Sequence, residues 1–213
     1  MLSRCGAALL ALLVRHRTSI LVIAGRSRVG KSTLLEAFLP WYPAATRQIR
    51  LRGSFEAFGW ERDPRFAPDR AVLVAEEISG HLPTYLWGAG VERFLAWRTA
   101  GCALAATAHG DQIEDVARLL TGYPLRLPLR SVAAFDLILR LGPSNGAAGP
   151  RFRLTDAWAT GLTGAEGLIA RPVLDGSGLH LDTAADVLAR SGSRITSLDG
   201  ALAAIDLEIR ATA

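Results

Sequence analysis

Cysteine, lysine and methionine are almost missing from this chain of 213 residues. Its two cysteines, Cys5 and Cys102, are too few for a disulfide framework and follow no metal-ligand spacing, so we expect a reducing compartment. No apolar run reaches the roughly 18 residues that a transmembrane helix needs. The apolar start of the chain has no small-residue cleavage site before the first predicted strand. We therefore expect a cytoplasmic protein.

Charged residues are also scarce, at 21% of the chain against 50% hydrophobic residues. This composition excludes a disordered chain and is typical of a globular domain. The net charge of +4 is too small to indicate direct binding of nucleic acid. At this length we expect one domain with at most a small appendage.

The only lysine, Lys31, stands in the most specific motif of the chain. Gly25–Ser32 has the pattern G-x-x-x-x-G-K-S, after an apolar strand and before an apolar-periodic helix. The glycines let backbone amides converge on phosphate oxygens, and the helix start adds its positive dipole end. The predicted cofactor-binding residues are Gly25, Arg26, Ser27, Arg28, Val29, Gly30, Lys31, Ser32 and Thr33.

The motif also assigns chemical roles to two side chains. Lys31 can reach the β- and γ-phosphates of ATP, and the Ser32 hydroxyl can ligate Mg²⁺. Every other basic residue except histidine is arginine, so the lysine marks a position that requires a compact ammonium group. We therefore expect ATP and Mg²⁺ as cofactors.

Apolar strands alternate with helical segments before Pro143. Strands are predicted at 19–24, 47–52, 71–77, 102–109 and 135–141, and helices at 3–16, 31–39, 85–99 and 113–120. This alternation predicts an α/β fold with a mainly parallel sheet covered by helices, which the strand at 135–141 closes. Segments 151–160 and 168–182 predict antiparallel strands before a helical tail. We expect an ATPase core over 1–143 and a small β-hairpin and helix appendage over 144–213.

Two glutamates end the predicted strand 71–77, and His109 ends the next strand. Ligands bind at the carboxyl ends of parallel strands, so these residues should meet the phosphate loop at one site. Hydrolysis of a γ-phosphate needs a group that orients water, for which we assign Glu77, and we assign Glu76 to the metal side with Ser32. Neighbouring strand residues point to opposite faces, so only one glutamate should face the phosphate, and their order stays open. His109 could sense the γ-phosphate.

Four segments of the chain occur together in one ATPase family. They are the helix, strand and loop of Ala8–Leu35, the segment Pro68–Gly80 with its apolar strand and glutamate, Ala106–Gly110, and Arg151–Asp156 before a further strand. Together they resemble the secretion ATPases of type II and type IV secretion, type IV pilus and Tad-like systems, including the sporulation stage III branch.

The resemblance implies a RecA-like P-loop ATPase in a homo-oligomeric ring, usually of six subunits. Such a ring would couple ATP hydrolysis to secretion, pilus assembly or transport at the inner membrane, with secretion or pilus components as partners. It also implies that Glu56 is the remaining acid of the acidic box in that family. Arginines beside this box could act in trans on a neighbouring subunit; they are Arg50, Arg52, Arg62 and Arg65.

Two other functions stay open. An ABC-type ATPase domain would suit strands ending at Glu77 and His109, but only 46 residues separate Lys31 from Glu77 and no Leu-Ser-Gly-Gly signature occurs. A nucleotide-gated regulatory or assembly subunit with little turnover is favoured by Arg52 and Gly53, which stand where the family has two acids. A small-molecule kinase is disfavoured because we identify no arginine-rich lid segment.

Overall fold

Eight strands form one continuous sheet in a computed structural model that describes residues 4–146, 149–164, 167–192 and 197–212. The strands are β1 (Ile20–Ala24), β2 (Arg47–Arg50), β3 (Ala71–Ile78), β4 (Ala103–His109), β5 (Leu137–Gly146), β6 (Gly149–Thr163), β7 (Gly167–Asp175) and β8 (Gly178–Leu179). The helices are α1 (Arg4–Arg15), α2 (Lys31–Phe38), α3 (Ala89–Ala96), α4 (Ile113–Thr121), α5 (Leu181–Arg190) and α6 (Leu198–Thr212).

The strand order is β2-β3-β4-β1-β5-β6-β7-β8, and the first five of these strands are parallel. β4 therefore lies between β1 and β3, and all three carboxyl ends meet at one edge. The last three strands add to β5 in antiparallel pairs. The predicted α/β fold with a mainly parallel, helix-covered sheet is confirmed. The prediction that the strand at 135–141 closes the sheet is wrong, because β6 pairs with its free side.

Two apolar cores lie on the two faces of the sheet. Alternate residues of β1 divide between them, so Ile20 and Val22 face one core, while Leu21 and Ile23 face the other. Helices α1, α2, α5 and α6 cover the first face, and α3 and α4 cover the second. Burial on both faces explains why β1 is an unbroken apolar run.

The segment before α3 differs from the predicted helix at 85–99. The helix begins only at Ala89, because Gly88 has φ 64° and ψ −141°, which lie outside the helical region. Leu86 instead forms a parallel bridge with Ile78, and its amide donates to the Glu77 carbonyl at 2.8 Å. The sequence places apolar residues at helical spacing here, but backbone pairing with the end of β3 is what holds the segment.

The C-terminal helix α6 packs on α1. Ile205 is buried there, and Arg15 donates two hydrogen bonds to Glu208, which pairs the ends of the two helices. β5 continues to Gly146, so the same sheet carries the strands on both sides of Pro143. The division into a core and an appendage at this position stays a prediction. None of the described helices combines the length and apolarity that a membrane span requires.

Candidate nucleotide site

The loop from Gly25 to Gly30 joins β1 to α2 with two residues in the left-handed region. Arg28 has φ 59° and Gly30 has φ 99°, a conformation that glycine adopts without strain. The turn at Gly30 starts α2 at Lys31, and no side chain caps the first turn of this helix. Its free amides can therefore serve as an anion-binding site, as the sequence predicts.

A cavity of about 530 Å³ opens beside this helix start. The structure brings several predicted residues together in its wall, which consists of Ser27, Arg28, Gly30, Lys31, Ser32, Thr33, Glu77, Leu82 and Tyr85. The Lys31 ammonium group lies 3.3 Å from Glu77 Oε2, and both side chains are buried. The only lysine of the chain and a carboxylate at the end of β3 thus share one cavity.

A β-bulge at the end of β3 determines how the two glutamates are placed. Ala75 is in register with Ala106 of β4, but Ile78 is in register with Ala108, so β3 contains one extra residue here. Glu76 is exposed and lines a second cavity, of about 310 Å³, which also includes Ser32. The carboxylates of Glu76 and Glu77 therefore lie in adjacent cavities, both of which include Ser32.

His109 joins the phosphate loop to the end of β3. Its Nε2 atom lies 3.4 Å from the Ser27 hydroxyl and 3.2 Å from Glu77 Oε1. The second contact lacks hydrogen-bond geometry, and buried Oε1 has no hydrogen-bond partner among the described residues. The Glu77 carboxylate therefore lies between Lys31 and His109, with Oε2 nearest the ammonium group and Oε1 nearest the imidazole.

Three residues that the sequence analysis did not select also belong to this region. Tyr85 and Leu82 line the cavity from the segment before α3, and burial together with the Glu77 and Glu76 carboxylates raises the pKa of Tyr85. Asp111, two residues after the end of β4, accepts a hydrogen bond from the Gly25 amide. The sequence did contain a signal for Asp111, because this residue follows the end of a predicted strand, where ligand-binding residues are expected.

Glu56 lies outside the cavity of the phosphate loop. Its carboxylate accepts hydrogen bonds from the amides of Arg52 and Phe58, at 3.0 and 2.6 Å, and so ties its own loop together. It lines a separate cavity of about 210 Å³. Two of the predicted arginines pair with nearby acids: Arg50 with Glu36, and Arg65 with Asp63. The structure thus gathers Lys31, Glu77 and His109, but not Glu56.

Two described residues could hold a Mg²⁺ ion that arrives with a nucleotide, because Ser32 and Glu76 line the same cavity of about 310 Å³. Among residues 4–146, 149–164, 167–192 and 197–212, no group of three or more His, Cys, Asp or Glu side chains could hold a metal ion. Mg²⁺ in nucleotide sites takes few protein ligands, because waters and substrate phosphates supply the others. Ser32 and Glu76 would be the protein's contribution.

Comparisons with known proteins add little to this geometry. No protein-family profile matches the chain, and no protein of curated function is significantly similar to it in sequence. Among solved structures, the chain is similar to the VirB11 ATPase from the Brucella suis type IV secretion system, in complex with sulphate, at 17% identity and a TM-score of 0.48. The match covers 70% of this chain and 50% of that one, so the chain spans about half the length of that ATPase.

Proposed function

We propose that this protein binds ATP with Mg²⁺ and hydrolyses it. The observation that carries the proposal is the buried pair of Lys31 and Glu77, 3.3 Å apart in the cavity beside the uncapped start of α2. The loop amides and Lys31 would bind the phosphates, and Ser32 and Glu76 would hold Mg²⁺. When bound, Mg²⁺ neutralises phosphate charge and aligns the γ-phosphate.

In this mechanism Lys31 exchanges one anionic partner for another. Without nucleotide its ammonium group is paired with Glu77, and with nucleotide the ammonium group turns to the β- and γ-phosphates. Glu77 would then accept a proton from the attacking water, and the Ser27 hydroxyl and His109, 3.4 Å apart, would contact the γ-phosphate. The exchange makes an active Glu77 carboxylate dependent on a bound nucleotide.

We further propose that the active form is a homo-oligomeric ring, hexameric by resemblance, which powers secretion, pilus assembly or transport. It would work in the cytoplasm, peripherally at the inner membrane, with secretion or pilus components as partners. Sequence motifs support this part: the phosphate loop, the strand ending in Glu77, and His109 with its flanking residues. An arginine near β2 would act in trans.

The structure disfavours one of the two alternative functions, the ABC-type ATPase domain, and agrees better with the other, the nucleotide-gated subunit. An ABC-type domain needs a helical subdomain between the phosphate loop and the acidic strand. Residues 51–70, all described, hold three short 3₁₀ turns and no α-helix, which disfavours it. A nucleotide-gated subunit with little turnover is favoured by the place of Glu56, which ties its own loop and lies outside the cavity of Lys31.

The decisive experiment compares steady-state ATPase activity, nucleotide affinity and mass by light scattering for wild type, Lys31→Ala and Glu77→Gln. We expect Lys31→Ala to lose nucleotide binding. Glu77→Gln should keep binding but lose turnover by about 100-fold or more, because general-base catalysis contributes that much. Tight binding by wild type without turnover in any assembly state would contradict the hydrolytic function and support the nucleotide-gated subunit.

A further inference from the structure

The first glycine of the phosphate loop makes room for an aspartate. The Gly25 amide donates a hydrogen bond of 3.0 Å to Asp111 Oδ1. A Cβ atom added to Gly25 would lie only 2.0 Å from Asp111 Oδ2. Gly25 is not among the glycines with positive φ, in contrast to Gly30. A side chain at position 25 would therefore displace the Asp111 carboxylate, whereas the backbone conformation of Gly25 does not itself favour glycine.

Asp111 is itself held from two sides. Its amide donates at 2.8 Å to Asp115 Oδ2, which also accepts from the Gln112 amide in the capping box that starts α4. Its carbonyl accepts a 3.4 Å hydrogen bond from Arg140 Nη1, and Arg140 Nε donates to Asp156 Oδ2 at 2.7 Å. The backbone of Asp111 is thus fixed between α4 and the strand pair β5–β6. Because the backbone of Asp111 is held in this way, its carboxylate is preorganised to accept the hydrogen bond from the Gly25 amide.

We propose that Asp111 is a positioning residue for nucleotide binding, a role that rests on the proposed function. Its carboxylate holds the Gly25 amide and so sets the direction in which the chain leaves β1. That direction determines where the later loop amides and the start of α2 present their donors. Asp111 contacts backbone and not the reacting atoms, so its effect should fall on nucleotide affinity and not on the chemical step.

The test uses Asp111→Ala and Asp111→Asn, with Glu114→Ala as a matched control that removes an exposed carboxylate from the same helix start. Affinity for ATP with Mg²⁺ is measured by calorimetry, and KM and kcat by steady-state assay. We expect Asp111→Ala to weaken binding and raise KM about fivefold to tenfold, because it removes a hydrogen bond to a charged group. Its kcat should stay within about threefold of wild type. Asp111→Asn keeps an acceptor oxygen and should bind within about twofold of wild type, as should Glu114→Ala.

A double-variant cycle tests the contact itself. Gly25→Ala should weaken nucleotide binding because its Cβ atom collides with Asp111. If the collision is the cause, combining it with Asp111→Ala should lose less affinity than the sum of the single changes. Circular dichroism confirms that each variant is folded, and Asp111→Asn keeps the side-chain shape if the alanine variant does not fold.

Four results would overturn the proposal. Unchanged affinity in Asp111→Ala, or strict additivity in the cycle, would remove the contact as a determinant of binding. A fall in kcat with unchanged KM would assign Asp111 to the chemical step. If wild type binds no nucleotide, the proposed function is refuted as well. If wild type and Asp111→Ala bind nucleotide equally well, only the role of Asp111 is refuted.

Discussion

Lys31 Nζ lies 3.3 Å from Glu77 Oε2, with side-chain exposures of only 5% and 9%. A buried ion pair gains little over a neutral pair of similar shape, but the loss of one partner leaves an uncompensated charge. Neither side chain can therefore be replaced alone without leaving a buried charge, and the pairing also keeps Glu77 from its proposed role. The effect of breaking the Lys31–Glu77 pair on the free energy of unfolding can be measured without any assay of catalysis.

Lys31→Met and Glu77→Gln should each lower the free energy of unfolding by about 3 kcal/mol, because each leaves one buried charge without its partner. The double variant should lose less than the sum. Urea unfolding without nucleotide measures all three. Glu36→Gln, which removes the exposed pair with Arg50, is the control and should change stability by less than about 1 kcal/mol. Additive losses at 31 and 77 would mean that the two charges do not stabilise each other.

Glu61 should make the loop after β2 sensitive to acid. Burial raises the pKa of Glu61, but hydrogen bonds from Arg93 and Trp97 outweigh burial, so the pKa lies below its usual value of 4.5. A carboxylate with a lower pKa in the folded state adds stability above its unfolded pKa and loses it as pH falls through the folded pKa. Stability of wild type should therefore fall more steeply than that of Glu61→Gln between about pH 5 and about pH 3.

The measurement is urea unfolding followed by tryptophan fluorescence, because Trp60 and Trp97 pack 5.4 Å apart beside Glu61. Glu92→Gln, at an exposed glutamate of α3, serves as the control and should keep the wild-type slope. Equal slopes for wild type and Glu61→Gln would show that this carboxylate has the same pKa in the folded and unfolded states.

The two cysteines should differ in reactivity. Cys5 is exposed, whereas Cys102 is buried, and burial raises the pKa of its thiol to about 11 despite the nearby Arg17 and Arg98. Only the thiolate reacts with iodoacetamide, so at about pH 8 the folded protein should be alkylated at Cys5 at least about tenfold faster than at Cys102. Peptide mass spectrometry gives both rates, and in urea they should become similar. Equal rates in the folded protein would contradict the buried position of Cys102.

The glycine turn before α2 and the order of strands and helices could be predicted because their signals are local. The spacing of Gly25, Gly30 and Lys31 specifies a backbone turn, and apolar strands between helices specify a parallel sheet. Where the prediction failed, a distant contact competed with the local pattern. Residues before Ala89 have helical periodicity but pair with the end of β3, and the strand at 135–141 gained β6 as a neighbour.

The sequence by itself determined the glycine turn and the position of Lys31 at the start of α2, because strand, turn and helix start are adjacent along the chain. Tertiary structure decided which side chains surround them. The contact of Asp111 with Gly25 joins residues 86 positions apart, and the bulge in β3 determines how Glu76 and Glu77 are placed around Ser32. Only the packed sheet brings such residues together, since side-chain direction at a strand end depends on register with the neighbouring strand.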